Sequence, residues 1–503
     1  MKNYRLKEYI KLGLRYSRIK SIAFVIILML GSCEEFLDVA PKGSIDANAF
    51  FSNPSELVFA LNGVYALQRN VYGNSLYYQL NEARSDNMKM DQTEQKERVE
   101  QDTYEETPGN LLLVNIWTSL YIVINNANTV IERAPSVPTA TPAEADLVKR
   151  AEAEAKYIRA LSYFTLAHMW GGALLRTEPT TDFENAVIAR SSLEETYNFI
   201  IQDLTEAAQG LPESYDGSSL NEIGRATRYA ALALLGKVQL QKGDAGAASS
   251  ALQGVIGKYS LLPNFADVYA AGNDNTAESI FEVSFNPVNQ TGLGFNNQLI
   301  PASEATRLGI VAGGQAGKLP MFPTVDITTI YESGDLRADA TFAPYEEGNA
   351  THYFNKFIDY DAAGTGSDIN MVLIRYADVL LMKAEADGES AASYELINQV
   401  RRRAFGKDPS VADPAVDIDA STPGTFIEKV MLERRREFVF ECQRWLDLKR
   451  LPESAALTII NNHIAAEYTG IPAVTAKSFV FPIPQQEIDV SNDVVVQNPG
   501  YPN

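Results

Sequence analysis

Glu433, Glu437 and Glu441 recur every four residues with Arg434, Arg435, Arg436 and Arg444 among them, a spacing that puts three carboxylates on one helical face, where acid–base chemistry could use them. Such a face repels itself unless cations meet it. Arg444 lies one turn beyond Glu441, and Arg401, Arg402 and Arg403 form a second basic cluster, so the pattern predicts an ion network that fixes helix packing rather than a reactive centre. Hydrolysis of a glycosidic bond needs two carboxyls about 5–9.5 Å apart. Among 64 acidic residues no spacing singles out such a pair. His168, His352 and His463 are too scattered for metal-ligand spacing, and His168 reads as a hydrogen-bonded packing residue. Gly313-Gly-Gln-Ala-Gly-Lys-Leu319 has the outline of a phosphate loop, but Ala312 and Leu319 stand where Gly and Ser or Thr are required. Asp359-Tyr-Asp361 before Gly364 lacks the third oxygen ligand and closing Glu of an EF-hand. The expectation is a protein that is not an enzyme, with no metal site and no cofactor.

The chain opens on a leader. Before residue 21 seven basic residues face a single acid, Glu8, and Ile22 to Leu30 then runs apolar without a break, the pattern of a signal peptide over residues 1–32. As a helix that run rises about 13.5 Å, well short of a hydrocarbon core roughly 30 Å thick, which argues against a transmembrane anchor. Leu30-Gly31-Ser32-Cys33 has the shape of a lipobox, so Cys33 is predicted as the first mature residue, carrying a diacylglyceryl thioether and a further palmitate-type chain on its amine. Each buried methylene contributes about 0.8 kcal/mol, and more than one chain is needed for stable anchoring. Cys33 and Cys442 are the only cysteines, so acylation of the first leaves no disulfide framework. The net charge of −21 becomes −27 once residues 1–32 are removed. Nucleic acid is excluded as a partner by that balance. Anionic headgroups would also repel it, leaving the lipid to do the anchoring.

The elements that position these residues are mostly helical. Asn53, Pro54 and Glu56 signpost a helix over 54–69, another is expected over 144–170 up to Gly171-Gly172, and Ser192-x-x-Glu195 opens a third. Ala231-x-x-Leu234-Leu235-Gly236, then Gly243-Asp244, resembles a degenerate tetratricopeptide repeat, echoed at Ala377-x-x-Leu380-Leu381-Met382. Residues 71–109 and 264–368 break the pattern, while Ser279–Phe285 and Ser478–Phe481 suit strands. The predicted fold is mainly α: a tetratricopeptide-like helical-hairpin scaffold with long irregular loop insertions and a little β-structure.

Several segments resemble the SusD/RagB family. They are Cys33-Glu-Glu-Phe-Leu-Asp38 with Pro41, Leu61-Asn62-Gly63-Val64-Tyr65, Trp117-Thr-Ser-Leu-Tyr121 with Asn125-Asn-Ala-Asn-Thr129, and Glu154-Ala-Lys-Tyr-Ile-Arg-Ala160. The C-terminal half adds Arg375 to Glu385, Ile397 to Arg401, Glu433 to Phe438, Glu441 to Asp447 and Phe481-Pro-Ile-Pro484. The resemblance implies an outward-facing lipoprotein of the outer membrane, a TonB-dependent SusC-like transporter as partner, and an oligosaccharide or, as in RagB-like members, an oligopeptide as ligand. It also suggests a division into an N-terminal helical region at 33–263, a loop-rich insertion at 264–370 and a C-terminal helical region at 371–503.

A sugar asks for a flat aromatic face against its C–H groups and planar polar side chains that fork onto adjacent hydroxyls. Trp117, Trp170 and Trp445 all lie in expected helices and read as core. The expected contacts therefore come from Tyr72, Tyr77, Tyr78 and Tyr104 in the first insertion and from Tyr269, Phe295, Tyr331, Tyr345 and Tyr353 in the second, with Arg84, Asp86 and Asn87 as polar partners.

Overall fold

The computed structural model describes residues 50–73, 75–91, 95–181, 186–215, 222–286, 292–294, 296–309, 317–319, 321–347, 350–360, 362 and 366–502. Cys33, Phe295 and Asp361 lie outside the described residues, as does most of the glycine-rich run at 313–319. Contacts group the chain into Met1–Ser52 and one compact unit, Asn53–Asn503. Within the second unit the helical regions and the insertion between them fold together.

Its helices are α1 (Pro54–Tyr72), α2 (Ser75–Glu82), α3 (Lys96–Thr103), α4 (Leu111–Arg133), α5 (Pro142–Trp170), α6 (Leu193–Gly210), α7 (Arg228–Lys242), α8 (Ala245–Gln253), α9 (Ala302–Leu308), α10 (Val325–Thr329), α11 (Arg337–Thr341), α12 (Tyr376–Asp387), α13 (Ala391–Ala404), α14 (Phe426–Glu437), α15 (Arg444–Arg450), α16 (Glu453–Glu467) and α17 (Gln485–Val490). The strands are β1 (Met88–Met90), β2 (Ser279–Val283), β3 (Met321–Pro323), β4 (Phe342–Glu347), β5 (Ala350–Phe354) and β6 (Met371–Arg375), paired antiparallel as β1 with β3, β2 with β6 and β4 with β5. No described helix is long and apolar enough to cross a membrane.

Local chemistry sets the long helices. Asn53 Oδ1 accepts from Glu56 N at 3.2 Å. Ser192 and Glu195 close a reciprocal capping box, and so do Thr141 and Glu144, which carries α5 back to Pro142. Helices α4 to α8 pack in consecutive pairs, and α8 passes the contact to α12, which pairs with α13. This is the helical-hairpin stack the repeat pattern predicts. Close approach depends on Gly236 of α7, where an added Cβ would fall 2.5 Å from Leu252 Cγ of α8.

Three local expectations are corrected. The stretch 71–109 holds α2, β1 and α3, because its polar residues are buried and hydrogen-bonded rather than solvated. Ser478–Phe481 is not a strand: Ser478 and Phe479 end a 3₁₀ turn over Ala476–Phe479, and Val480 and Phe481 follow it as irregular backbone. The charged helix ends at Glu437, so Glu441 sits in the turn between α14 and α15, where Phe440 and Cys442 have positive φ.

Candidate functional site

The three glutamates are inside the protein, each met by cations from other elements. Glu437 takes Arg337 Nη1 at 2.9 Å, Arg375 Nη1 at 2.5 Å and Arg403 Nη2. Glu433 is paired with Arg337 at 2.7 Å and Arg401 at 3.0 Å, and Glu441 with Lys356 at 2.5 Å and Arg375 at 2.9 Å. Burial alone would raise Glu437, but Arg403, Arg375 and Arg337 overcome it and hold the carboxyl well below the usual range. Burial opposes charge at Glu441 as well, and there Arg375 and Lys356 prevail. A general acid needs the opposite shift. The network ties α14 to the insertion through Asp335, Arg337 and Lys356, and to β2 and β6 through Glu278 and Arg375. Arg444, expected to serve Glu441, instead grips Asp86 at 2.7 and 2.9 Å. His168 Nε2 donates to Asn81 Oδ1 at 2.9 Å, and burial, with Lys449 and Lys237 nearby, lowers its pKa well below the ordinary value.

Most of the residues expected to touch ligand also lie in this interior. Arg84 is fully buried, paired with Glu106 at 2.5 Å and seated over the rings of Tyr104 and Phe481 at 4.4 and 4.3 Å. Tyr104 donates to Arg84 O at 2.9 Å. Asp86 is held well below the usual carboxylate range because Arg444 and Arg435 outweigh the cost of its burial. Asn87 Oδ1 accepts from Arg435 Nε at 2.9 Å, and its carbonyl accepts from Thr324 N at 3.1 Å. Tyr72 lies against Thr165 Oγ1 at 3.0 Å, Tyr78 stacks on Phe440, and half-buried Tyr77 packs edge-on to both tyrosines. Tyr331 donates to Arg436 O at 2.8 Å, and Tyr269 packs on Phe357. Trp117, Trp170 and Trp445 are all buried.

These groups still determine where a surface site can form. Asp86 and Asn87 bind α14 and α15 immediately before β1, and β1 pairs with β3 in the register Met88↔Pro323, Lys89↔Phe322, Met90↔Met321. The two insertions are thereby joined edge to edge. Directly opposed residues of a pair share a face, so Lys89 and Phe322 lie side by side. Phe322 stacks parallel on Tyr345 of β4, with centroids 6.1 Å apart and planes 6° apart, and both rings are half-buried. Tyr345 packs edge-on to Tyr353, and its hydroxyl is 3.4 Å from Ser303 Oγ of α9. Tyr360 is 46 % exposed and donates to Asn355 Oδ1. The Glu304–Arg307 pair of α9 and the Lys89–Glu467 pair, 2.8 Å, add charge at the edge. An aromatic ledge flanked by hydroxyl, amide and charged groups is what a polyol surface requires.

Of the expected residues, Tyr345 and Tyr353 come together here. Phe322, Lys89, Tyr360 and Asn355 were missed. Phe322 stands in a three-residue strand with no alternation to read, and Tyr360 drew attention only as part of the Asp359–Asp361 run. Among the described residues no group of His, Cys, Asp and Glu is arranged to hold a metal ion.

Comparisons with known proteins agree with this architecture. Residues 331–501 match the model described as the SusD family, and residues 35–240 match one described as starch-binding and associating with the outer membrane. SusD-like protein P25 of Formosa agariphila is 25% identical, covering 96% of this chain and all of its own. SusD-like protein P38 of the same organism is 26% identical, covering 86% of this chain and 91% of its own. The structure of a laminarin-binding SusD-like protein superimposes with a TM-score of 0.73 at 26% identity, over 90% of this chain and all of that one.

Proposed function

The chain belongs to the SusD/RagB family, and from that premise we propose that it is a non-catalytic, outward-facing lipoprotein of the outer membrane. It captures an oligosaccharide and delivers it to a TonB-dependent, SusC-like transporter. The anchor is the acylated Cys33. The observation that carries the binding role is the ledge of Phe322 and Tyr345 at the seam where β1 meets β3, with Ser303 at the Tyr345 hydroxyl and with Tyr360 and its acceptor Asn355 linked to it through the buried Tyr353. Its rings suit the C–H face of a pyranose, and its amides and hydroxyls suit the equatorial edge. Glu437 and Glu441, two of the carboxylates whose spacing suggested acid–base chemistry, are held ionised by their cations and supply no proton donor, which supports capture without cleavage.

A starch-binding family description and a laminarin-binding relative put neutral glucans first in the panel. Affinity electrophoresis and calorimetry with starch, laminarin and other polysaccharides test the reading, with Phe322→Ala and Tyr345→Ala as controls. Retardation by a glycan, clearly weakened in both variants, is expected. Binding of oligopeptides with no response to any glycan would replace the ligand, and release of shortened product would replace the capture role.

A further inference from the structure

We propose that a second pocket, between the C-terminal half of α1, the turn at residues 222–225 and the end of β2, binds the carboxylate and an adjacent hydroxyl of an acidic sugar, a hexuronate unit. Its volume is about 200 Å³, and its lining includes Asn62, Gln68, Arg69, Gly224, Arg225 and Ser284. That is below the usual 300–1,000 Å³ of small-molecule sites, room for one ring rather than a chain.

Two groups in the pocket are left unsatisfied by the protein. Arg69 is half-buried, yet among the described residues no carboxylate lies within salt-bridge distance of it and its side chain makes no hydrogen bond. Arg225 beside it is already neutralised by Glu154 at 2.8 Å and held by Asn62 Oδ1 at 2.5 Å. In a chain with 64 acids against 43 bases, a partly desolvated guanidinium left uncompensated is an exception. The second group is Gln68, 2% exposed, whose Oε1 is buried without a donor.

A ligand that completes both must bring one anionic group and one hydroxyl donor within the span of a single ring. A guanidinium forks onto a carboxylate, and a neighbouring sugar hydroxyl donates to the amide oxygen. A neutral hexose would satisfy Gln68 and leave Arg69 uncompensated, so the pocket discriminates by charge. Glu282 also lines it, but its oxygens are engaged by Asn275 N at 3.1 Å and Asn370 Nδ2 at 2.9 Å. The wall is close-set: Gly224 has φ +81°, and a Cβ there would fall 2.9 Å from Ser284 Oγ. Nothing in this assignment depends on the ledge at the β1–β3 seam.

Calorimetry on the full chain in a neutral detergent, titrated with sodium glucuronate, sodium galacturonate, glucose and glucose 6-sulfate, tests it. A uronate is expected to bind and glucose not to. Arg69→Met should weaken the uronate about 10- to 100-fold, the range for a hydrogen bond to a charged group, and Gln68→Leu about 3- to 10-fold without lowering the thermal midpoint. A di- or trisaccharide of the same uronate that binds more tightly through the same two residues identifies a polymer as the source, whereas equal affinity identifies the free acid. Absence of uronate binding, binding of glucose as strong as of uronate, a response to the sulfate ester alone, or uronate binding indifferent to both substitutions would overturn the assignment. Loss of glucan binding at the ledge in these variants would also refute it, by showing the two sites to be one.

Discussion

Glu82 gives the sharpest prediction, because one buried proton should set the slope of stability against pH. It is the last residue of α2, 1% exposed, with Oε1 accepting from Cys442 N at 2.5 Å and Oε2 buried without a partner. Burial pushes its carboxyl up to about 8; the Cys442 N–H and Lys356 pull the other way, and Glu441 and Asp86 add to the rise. The unfolded chain releases this proton near pH 4.5, while the folded chain holds it to about 8. The fold therefore binds the extra proton across that window, and stability falls as pH rises through it. At about 1.4 kcal/mol for each pH unit, the loss approaches ~5 kcal/mol by pH 9 and is absent below pH 4.5. Glu82→Gln keeps the acceptor for Cys442 N and removes the titration. Urea unfolding of both proteins at pH 5, 7 and 9 should give similar stabilities at pH 5 and a variant more stable by several kcal/mol at pH 9. A wild-type-minus-variant difference that stays constant over this range would refute the reasoning, since a carboxyl already ionised in the fold gives no such divergence.

The remaining predictions concern the ion network, the ledge and the anchor. Glu437→Gln leaves Arg337, Arg375 and Arg403 short of a charge in the interior and should cost about 3–5 kcal/mol in denaturant unfolding, against a negligible change for Glu453→Gln at the exposed start of α16. Phe322→Ala should weaken glycan binding about tenfold while leaving the thermal midpoint within a few degrees, because the ring is only half-buried. Cys33→Ser should move the protein from the membrane fraction to the soluble one, and mass spectrometry of the wild type should find a mature N-terminus at Cys33 carrying acyl mass.

Legibility differed between the scaffold and the site for a physical reason. Asn53, Ser192 and the glycines at 171 and 243 act on backbone within a turn of themselves, so α1, α5, α6 and α7 could be read from the residues alone. The repeat spacing likewise announced the α7–α8 hairpin, since small residues are needed wherever two backbones close on each other. The three tryptophans could be placed in the core from helical period. The polar stretch around Arg84, Asp86 and Asn87 misled because polarity was taken for exposure. Arg444 and Arg435, from the far end of the chain, and Glu106, from later in the same stretch, pair with them and make burial tolerable.

By itself the sequence determined the acid-rich balance, the helical period with its caps, and the presence of carboxylates that needed cations, and it carries the pattern from which a leader and a lipobox at Cys33 are expected. Each of these acts over a few residues or over the chain's composition. Which cation meets which carboxylate, and that Lys89 comes to lie beside Phe322 under the ring of Tyr345, was decided only in three dimensions. Pairing between segments so far apart is selected by the energy of the assembled body, where a buried charge must find its counterpart and a short strand its partner, and no local pattern records that choice.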